Sequence, residues 1–269
     1  MKIYLLGDSF TDNLFKYEIE AIKDNRNRHG QTYQYVKLLK NQNLPYPLHF
    51  EDYLRLWGHE VINLGVGGCS NDSIFHQFTQ IKEPFDRLII NWTGLSRFDW
   101  YHSGNGFRTF TGGMPPNYKL SLIDELLIEQ GHNRLENKAF RDRTIDFISF
   151  LVSKYAKQKQ IIWAPLDNIC KVIENIKGYV WYIQNPIFKN IIPEFNKLEI
   201  FTETNQKIND MHYGRYGNFY TALMFNTILE HTKDIEHDGF YINDLDLFLK
   251  IKENILTAQH NIIEINHSI

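Results

Sequence analysis

The chain has 269 residues, 43% of them apolar and 14% aromatic, enough for a substantial core and too apolar for intrinsic disorder. Its 29 basic and 32 acidic side chains leave a net charge of −3, which excludes a global cationic field for nucleic acid or an anionic membrane. Two cysteines, Cys69 and Cys170, exclude a disulfide-stapled scaffold and a cysteine-rich zinc site.

In chain order, Lys2–Leu6 is the first strand candidate, an apolar run stopped by Gly7. The run is too short for the apolar region of a secretory signal, and no segment reaches the roughly 18 apolar residues of a membrane span. A soluble, cytoplasmic chain is therefore expected. Further strands are predicted at Glu60–Leu64, Arg87–Asn91, Gln160–Pro165 and Leu198–Thr202, and helices at Phe50–Trp57, Ser70–Ile81, Asn137–Gln158 and Gly214–His231. In the third helix Phe140, Thr144, Phe147, Ile148, Leu151, Val152 and Tyr155 recur at steps of three and four, as one helical face requires. Strands alternating with helices predict an α/β fold on a parallel sheet, with ligands bound beyond the carboxyl ends of the strands. Two stretches interrupt this pattern, the polar segment 17–48 and the Gly- and aromatic-rich segment 98–135. Both read as insertions at the rim of the sheet. The tail, 233–269, contains one helical pattern at Asp244–Leu256 and reads as an extension packed on the core or on a partner.

Three short segments carry chemistry. The first strand runs into Gly7-Asp8-Ser9-Phe10. A serine on a tight strand-to-helix turn exposes its hydroxyl among backbone amides, so one element supplies a nucleophile and an oxyanion donor; the competing reading is that Ser9 caps the next helix. The second strand runs into Asn63-Leu64-Gly65-Val66-Gly67-Gly68-Cys69-Ser70. This is no dinucleotide loop, because glycine is missing at Ser70 and the loop follows the second strand instead of the first. Near the far end lies Asn209-Asp210-Met211-His212, a histidine with an acid two residues before it, the pairing a serine nucleophile needs for its base. The histidines show no metal-binding spacing, and neither a metal nor a cofactor is expected.

Taken together, Gly7-Asp8-Ser9-Phe10, Gly68 and the Asp210/His212 pair resemble the SGNH, or GDSL-like, hydrolase family over residues 1–232, less the two insertions. The resemblance implies a three-layer α/β/α sandwich on a flavodoxin-like, five-stranded parallel sheet. It also implies a serine esterase or acylhydrolase, with Ser9 as nucleophile, His212 as base, Asp210 as its acid, and the amides of Ser9 and Gly68 as oxyanion donors. Two departures stand out. The common D-x-x-H spacing would place Asn209 opposite the acid, and the third segment, Trp92-Thr93-Gly94-Leu95-Ser96-Arg97, lacks the expected asparagine, with Asn91 still inside the strand. Thr93 or Ser96 is the substitute donor expected there. Trp92, Arg97 and Trp100 suit a substrate wall for a small acyl ester, acetyl-like, on a carbohydrate or other polar carrier. The alternatives are an O-acetyltransferase of the same fold and a catalytically silent binding or assembly module.

Overall fold

The computed structural model describes residues 1–28, 30–94, 97–102, 106–111, 138–155, 160–164, 180–184 and 213–231, with residues 249, 253, 254 and 257 of the tail. The elements in chain order are β1 (Lys2–Leu6), α1 (Leu14–Lys23), α2 (Gln31–Asn41), α3 (Phe50–Leu56), β2 (Glu60–Asn63), α4 (Asn71–Thr79) and β3 (Arg87–Asn91). They continue with β4 (Arg97–His102), β5 (Gly106–Thr111), α5 (Lys138–Lys154), β6 (Gln160–Ala164), β7 (Val180–Gln184) and α6 (Arg215–His231).

A mixed α/β fold on a parallel sheet results, with strand order β2-β1-β3-β6-β7. The central strands β1 and β3 are buried on both faces, which is why β1 reads Ile-Tyr-Leu-Leu without polar alternation. Side chains of a strand alternate between faces. Ile3 and Leu5 accordingly join Val61, Ile89, Ile161 and Trp163 against Phe50, Tyr53 and Leu54 of α3 and Phe219, Phe225 and Ile228 of α6. Tyr4 and Leu6 join Leu88, Ile90 and Ile162 against Ile74 and Phe78 of α4 and Ile148 and Val152 of α5. The chain leaves β1 for β2 on one side and later returns to β3 on the other, so β1 stands at the reversal of strand order. Ligand crevices form beyond the strand ends at such a point.

The expected strands at Lys2–Leu6 and Arg87–Asn91 have the predicted bounds, and those at residues 60 and 160 end one residue early. The helix expected from Ser70 begins at Asn71, because Ser70 is its N-cap and accepts the Asp72 N–H at 3.1 Å. Segment 17–48, expected as a rim insertion, contains most of α1 and all of α2, which share a core of Phe15, Ala21, Ile22, Tyr35, Val36 and Leu39. Within 98–135, β4 and β5 form an antiparallel hairpin, Phe98 opposite Phe110 and Tyr101 opposite Phe107; residues 103–105 and 112–135 lie outside the described residues, as does the strand expected at 198–202. Strand β7 was not anticipated. In the tail, Asn254 Nδ2 donates to Thr227 Oγ1 of α6 at 3.1 Å. Among the described residues no helix is long and apolar enough to cross a membrane.

His49 caps α3 from a fully enclosed position: Nδ1 accepts the Glu51 N–H at 3.4 Å, and the ring Nε2 lies 3.3 Å from the Phe10 carbonyl. Burial, reinforced by the Arg55 charge, lowers its pKa, against the opposing pull of Glu51, Asp52 and the Phe10 carbonyl. A histidine whose folded pKa lies below its unfolded value of about 6.5 leaves the unfolded state the better proton binder, so stability is lost as pH falls below that value. The urea midpoint is therefore expected to drop between pH 7.5 and 5.5, and His49→Asn, which keeps a capping acceptor, is expected to flatten that drop. An unchanged pH slope in His49→Asn would contradict this assignment.

Candidate active site

The turn after β1 is built around Gly7. A Cβ at Gly7 would lie 2.3 Å from Thr11 Oγ1 and 2.8 Å from Asn91 Cβ, at φ +154°, so no other residue fits without displacing its neighbours. Gln77 of α4 clamps this peptide from both sides: Gly7 N–H donates to Gln77 Oε1 at 2.8 Å, and Gln77 Nε2 donates to the Gly7 carbonyl at 3.0 Å. Val66 N–H and Cys69 Sγ donate to the same carbonyl at 3.0 and 3.4 Å, which ties the β2 loop to the β1 turn.

Asp8 follows, 1% exposed. Its carbonyl accepts the N–H groups of Thr11 and Asp12, both at 2.9 Å. Its carboxylate accepts Phe10 N–H at 3.0 Å, Asn91 Nδ2 at 2.6 Å and Arg97 Nη1 at 3.0 Å. Asp8 is thus an organiser of the turn, joining β1, the end of β3 and the start of β4. Ser9 sits half-buried at the apex, and neither its hydroxyl nor its N–H has a hydrogen-bond partner among the described residues.

The β2 loop is seated against this turn. Asn63 forms an Asx turn, its Oδ1 accepting Gly65 N–H at 2.9 Å, while Nδ2 donates to the Thr11 carbonyl and to Glu51 Oε2, both at 2.6 Å. Gly65 packs so closely that a Cβ would stand 2.9 Å from Asp12 N. Gly67 N–H donates to Asp12 Oδ2 at 2.8 Å, and a Cβ at Gly67 would lie 3.9 Å from Ser9 Cβ. Gly68 adopts the left-handed conformation, φ +74°, with open space beside it and no partner for its N–H among the described residues. Behind the loop, burial opposes ionisation of Glu51, but His49, the Asn13 amide, Arg55 and the Asn63 amide outweigh it and hold the carboxyl below the usual range.

The third segment departs from expectation in three places. Trp92 is a core residue and not a substrate wall: it is 1% exposed, stacked on Phe78 at 6.0 Å and tilted against Phe75 at 5.6 Å. Thr93 is 3% exposed, its N–H and carbonyl paired with the Asn71 side chain at 3.1 and 3.0 Å, so its amide is committed and its hydroxyl is enclosed without a partner. Arg97 is turned to Asp8. Asn91 spends its Nδ2 on Asp8 as well. The backbone of Trp100 lies in β4 opposite Arg108, its side chain being outside the described residues. Ser96, Asn209, Asp210 and His212 also lie outside them.

Tyr213, the residue that follows His212 in the sequence, is described. Its ring meets Phe10 edge-on at 5.3 Å and stacks on Trp163 at 6.3 Å, and Asn218 Nδ2 holds its carbonyl at 2.8 Å. Burial, with the Asp8 charge, pushes its phenol up. Ser9, Phe10, Phe15, His49 and Tyr213 line a narrow hollow of about 20 Å³, room for a single water. Among the described residues no group of acids, histidines or cysteines is arranged to hold a metal. No family model, curated protein or solved structure matches the chain.

The supporting residues His49, Asn63, Asn71 and Gln77 went unread in the sequence. Asn63 had a local signal, an asparagine two residues before a glycine at a strand end, and His49 acts locally as the cap of α3; Asn71 on Thr93 and Gln77 on Gly7 act across 22 and 70 residues of sequence. Removing one member of a buried charge pair is strongly destabilising. Asp8→Ala is expected to cost about 3 kcal/mol, the low end of that range because Arg97 is partly exposed. In a urea double-mutant cycle with Arg97→Ala, the two changes should couple by more than about 1 kcal/mol; additivity would show that the pair does not hold the turn.

Proposed function

We propose that the chain is a serine esterase or acylhydrolase on a three-layer α/β/α sandwich with a flavodoxin-like, five-stranded parallel sheet, as its resemblance to SGNH hydrolases implies. One observation carries the reading: Ser9 stands at a tight turn with its hydroxyl and N–H unpartnered among the described residues, beside a loop whose Gly68 N–H is likewise unpartnered among them. Free donors next to a free hydroxyl are what acyl transfer needs and what a helix cap does not leave.

In this mechanism His212 takes the proton from Ser9 Oγ as that oxygen attacks the ester carbonyl, and the Asp210 carboxylate holds the imidazole and stabilises its charged form. The tetrahedral oxyanion rests on the N–H groups of Ser9 and Gly68. His212 then protonates the leaving alcohol, and water activated by the same imidazole releases the acyl group from Ser9. The packing of Tyr213 on Phe10 supports the pairing of the two distant segments. The substrate class of this reading is a small acyl group such as acetyl, carried on a carbohydrate or similar polar alcohol. A cytoplasmic place of action belongs to the same proposal.

A second reading, a silent assembly module, draws on the third segment, where Asn91, the Thr93 amide and Arg97 are all occupied by protein. Loss of one oxyanion donor costs roughly 2.7–4 kcal/mol of transition-state stabilisation, which slows an enzyme without abolishing it. Transfer of the acyl group to a glycan alcohol is the remaining variant. A fluorophosphonate probe is expected to label Ser9, and a short-chain aryl acetate to be turned over, with Ser9→Ala or His212→Ala lowering turnover by on the order of 10⁴ or more. Folded protein that takes up no probe would favour the silent module, and a glycan alcohol outcompeting water for the acyl group would identify a transferase.

A further inference from the structure

Asp12 lies three residues beyond the nucleophile and on the same turn. Its N–H is tied to the Asp8 carbonyl at 2.9 Å, and its own carbonyl accepts Leu14 N–H at 2.9 Å. Its carboxylate crosses to the β2 loop and accepts Gly67 N–H at 2.8 Å. The Tyr17 hydroxyl also bonds to this carboxylate, and the Asp12 charge pushes the Tyr17 phenol up. One rigid backbone therefore carries both Ser9 and the acceptor that grips the neighbouring loop.

That grip falls where the β2 loop is least constrained by packing. Gly65 is wedged against Thr11 and Asp12, and Cys69 N–H is bonded to the Val66 carbonyl at 3.3 Å, but among the described residues Gly68 has nothing within 4 Å of a Cβ position and no partner for its N–H. A glycine at φ +74° in open space has shallow torsional preferences of its own. The Gly67–Gly68 peptide is the central one of the turn that the Cys69 N–H closes on the Val66 carbonyl, and the Asp12 carboxylate adds a second hold on that turn at the Gly67 N–H, one peptide away. A charged acceptor makes a shorter and stronger bond to an N–H than a neutral one, so it suits this task.

We propose that Asp12 is a positioning residue for the oxyanion hole: by holding Gly67 N–H it fixes the Gly68 N–H in register with Ser9. The proposal rests on the serine-hydrolase reading for its catalytic consequence, but its structural half stands independently. A donor displaced by about 1 Å costs on the order of 100-fold in rate. Substrate binding, which does not use the oxyanion donor fully until the transition state, should be little affected.

The test compares the full chain with its Asp12→Ala and Asp12→Asn variants, using an aryl acetate and amide NMR of Gly67 and Gly68. Expected are a fall in kcat of about 100-fold in Asp12→Ala at unchanged KM, recovery of most of that loss in Asp12→Asn, whose Oδ1 accepts the same bond, and displaced Gly67 and Gly68 amide signals in the alanine variant alone. If Asp12→Ala keeps its kcat, or if KM rises while kcat holds, the positioning role is overturned. Should the wild-type protein turn over no ester, the hydrolase reading fails separately, and the amide signals decide: Gly68 signals unchanged in Asp12→Ala overturn the proposal, and displaced signals restored in Asp12→Asn uphold its structural half.

Discussion

A buried carboxylate must be satisfied on every side, and that requirement shapes this molecule around Asp8. Its oxygens gather an N–H from its own turn, the amide of Asn91 at the end of β3 and the guanidinium of Arg97 at the start of β4. Each donor belongs to a different stretch of chain, so neutralising one charge joins the ends of adjacent strands. The bond to Phe10 N–H forces the tight turn whose apex is Ser9, and the Asp8 carbonyl closes it by holding Thr11 and Asp12. The presentation of Ser9 at the apex is thus a consequence of how the acid before it is buried.

The same constraint explains the departure in the third segment. Where an asparagine beyond β3 would face a ligand, this chain has Asn91 inside the strand and directed at Asp8, with Trp92 turned into the core behind it. Asn71 then occupies both backbone groups of Thr93. The third segment serves the rigidity of the first, and among the described residues around this turn the N–H groups of Ser9 and Gly68 are left unpartnered. On the serine-hydrolase proposal, such a site exchanges one donor for a more firmly held serine, and its rate depends on how well the remaining two are oriented.

Much of the fold was legible because it is written in local pattern. Runs such as Ile3-Tyr4-Leu5-Leu6 and Leu88-Ile89-Ile90 are apolar throughout since both faces of the sheet are covered, and Ser70 announces the start of α4 by its capping chemistry. The pair α1 and α2 was obscured by charge on its outer face, although Phe15, Tyr35 and Leu39 give it a core. The hairpin β4–β5 joins two aromatic-bearing runs, Phe98 to Tyr101 and Phe107 to Phe110, separated by the sequence Ser103-Gly104-Asn105, a hairpin signal passed over by reading the whole segment as one rim insertion. At the site, the Ser9 turn and the glycine loop were legible as motifs. The burial of Trp92 and the pairing of Arg97 with Asp8 were not, because both depend on which way a side chain leaves its strand end, a tertiary outcome with no local signature.

On the serine-hydrolase proposal, the Asp8-organised turn presents Ser9 as a nucleophile with its oxyanion donors already in place. A crystal structure of the protein after reaction with a fluorophosphonate tests it most directly. Expected are phosphorus bonded to Ser9 Oγ and the phosphonyl oxygen about 2.7–3.1 Å from the N–H groups of both Ser9 and Gly68, with the Asp8 contacts to Phe10, Asn91 and Arg97 retained. Phosphorus on another residue, or a phosphonyl oxygen turned away from Gly68 into solvent, would contradict it.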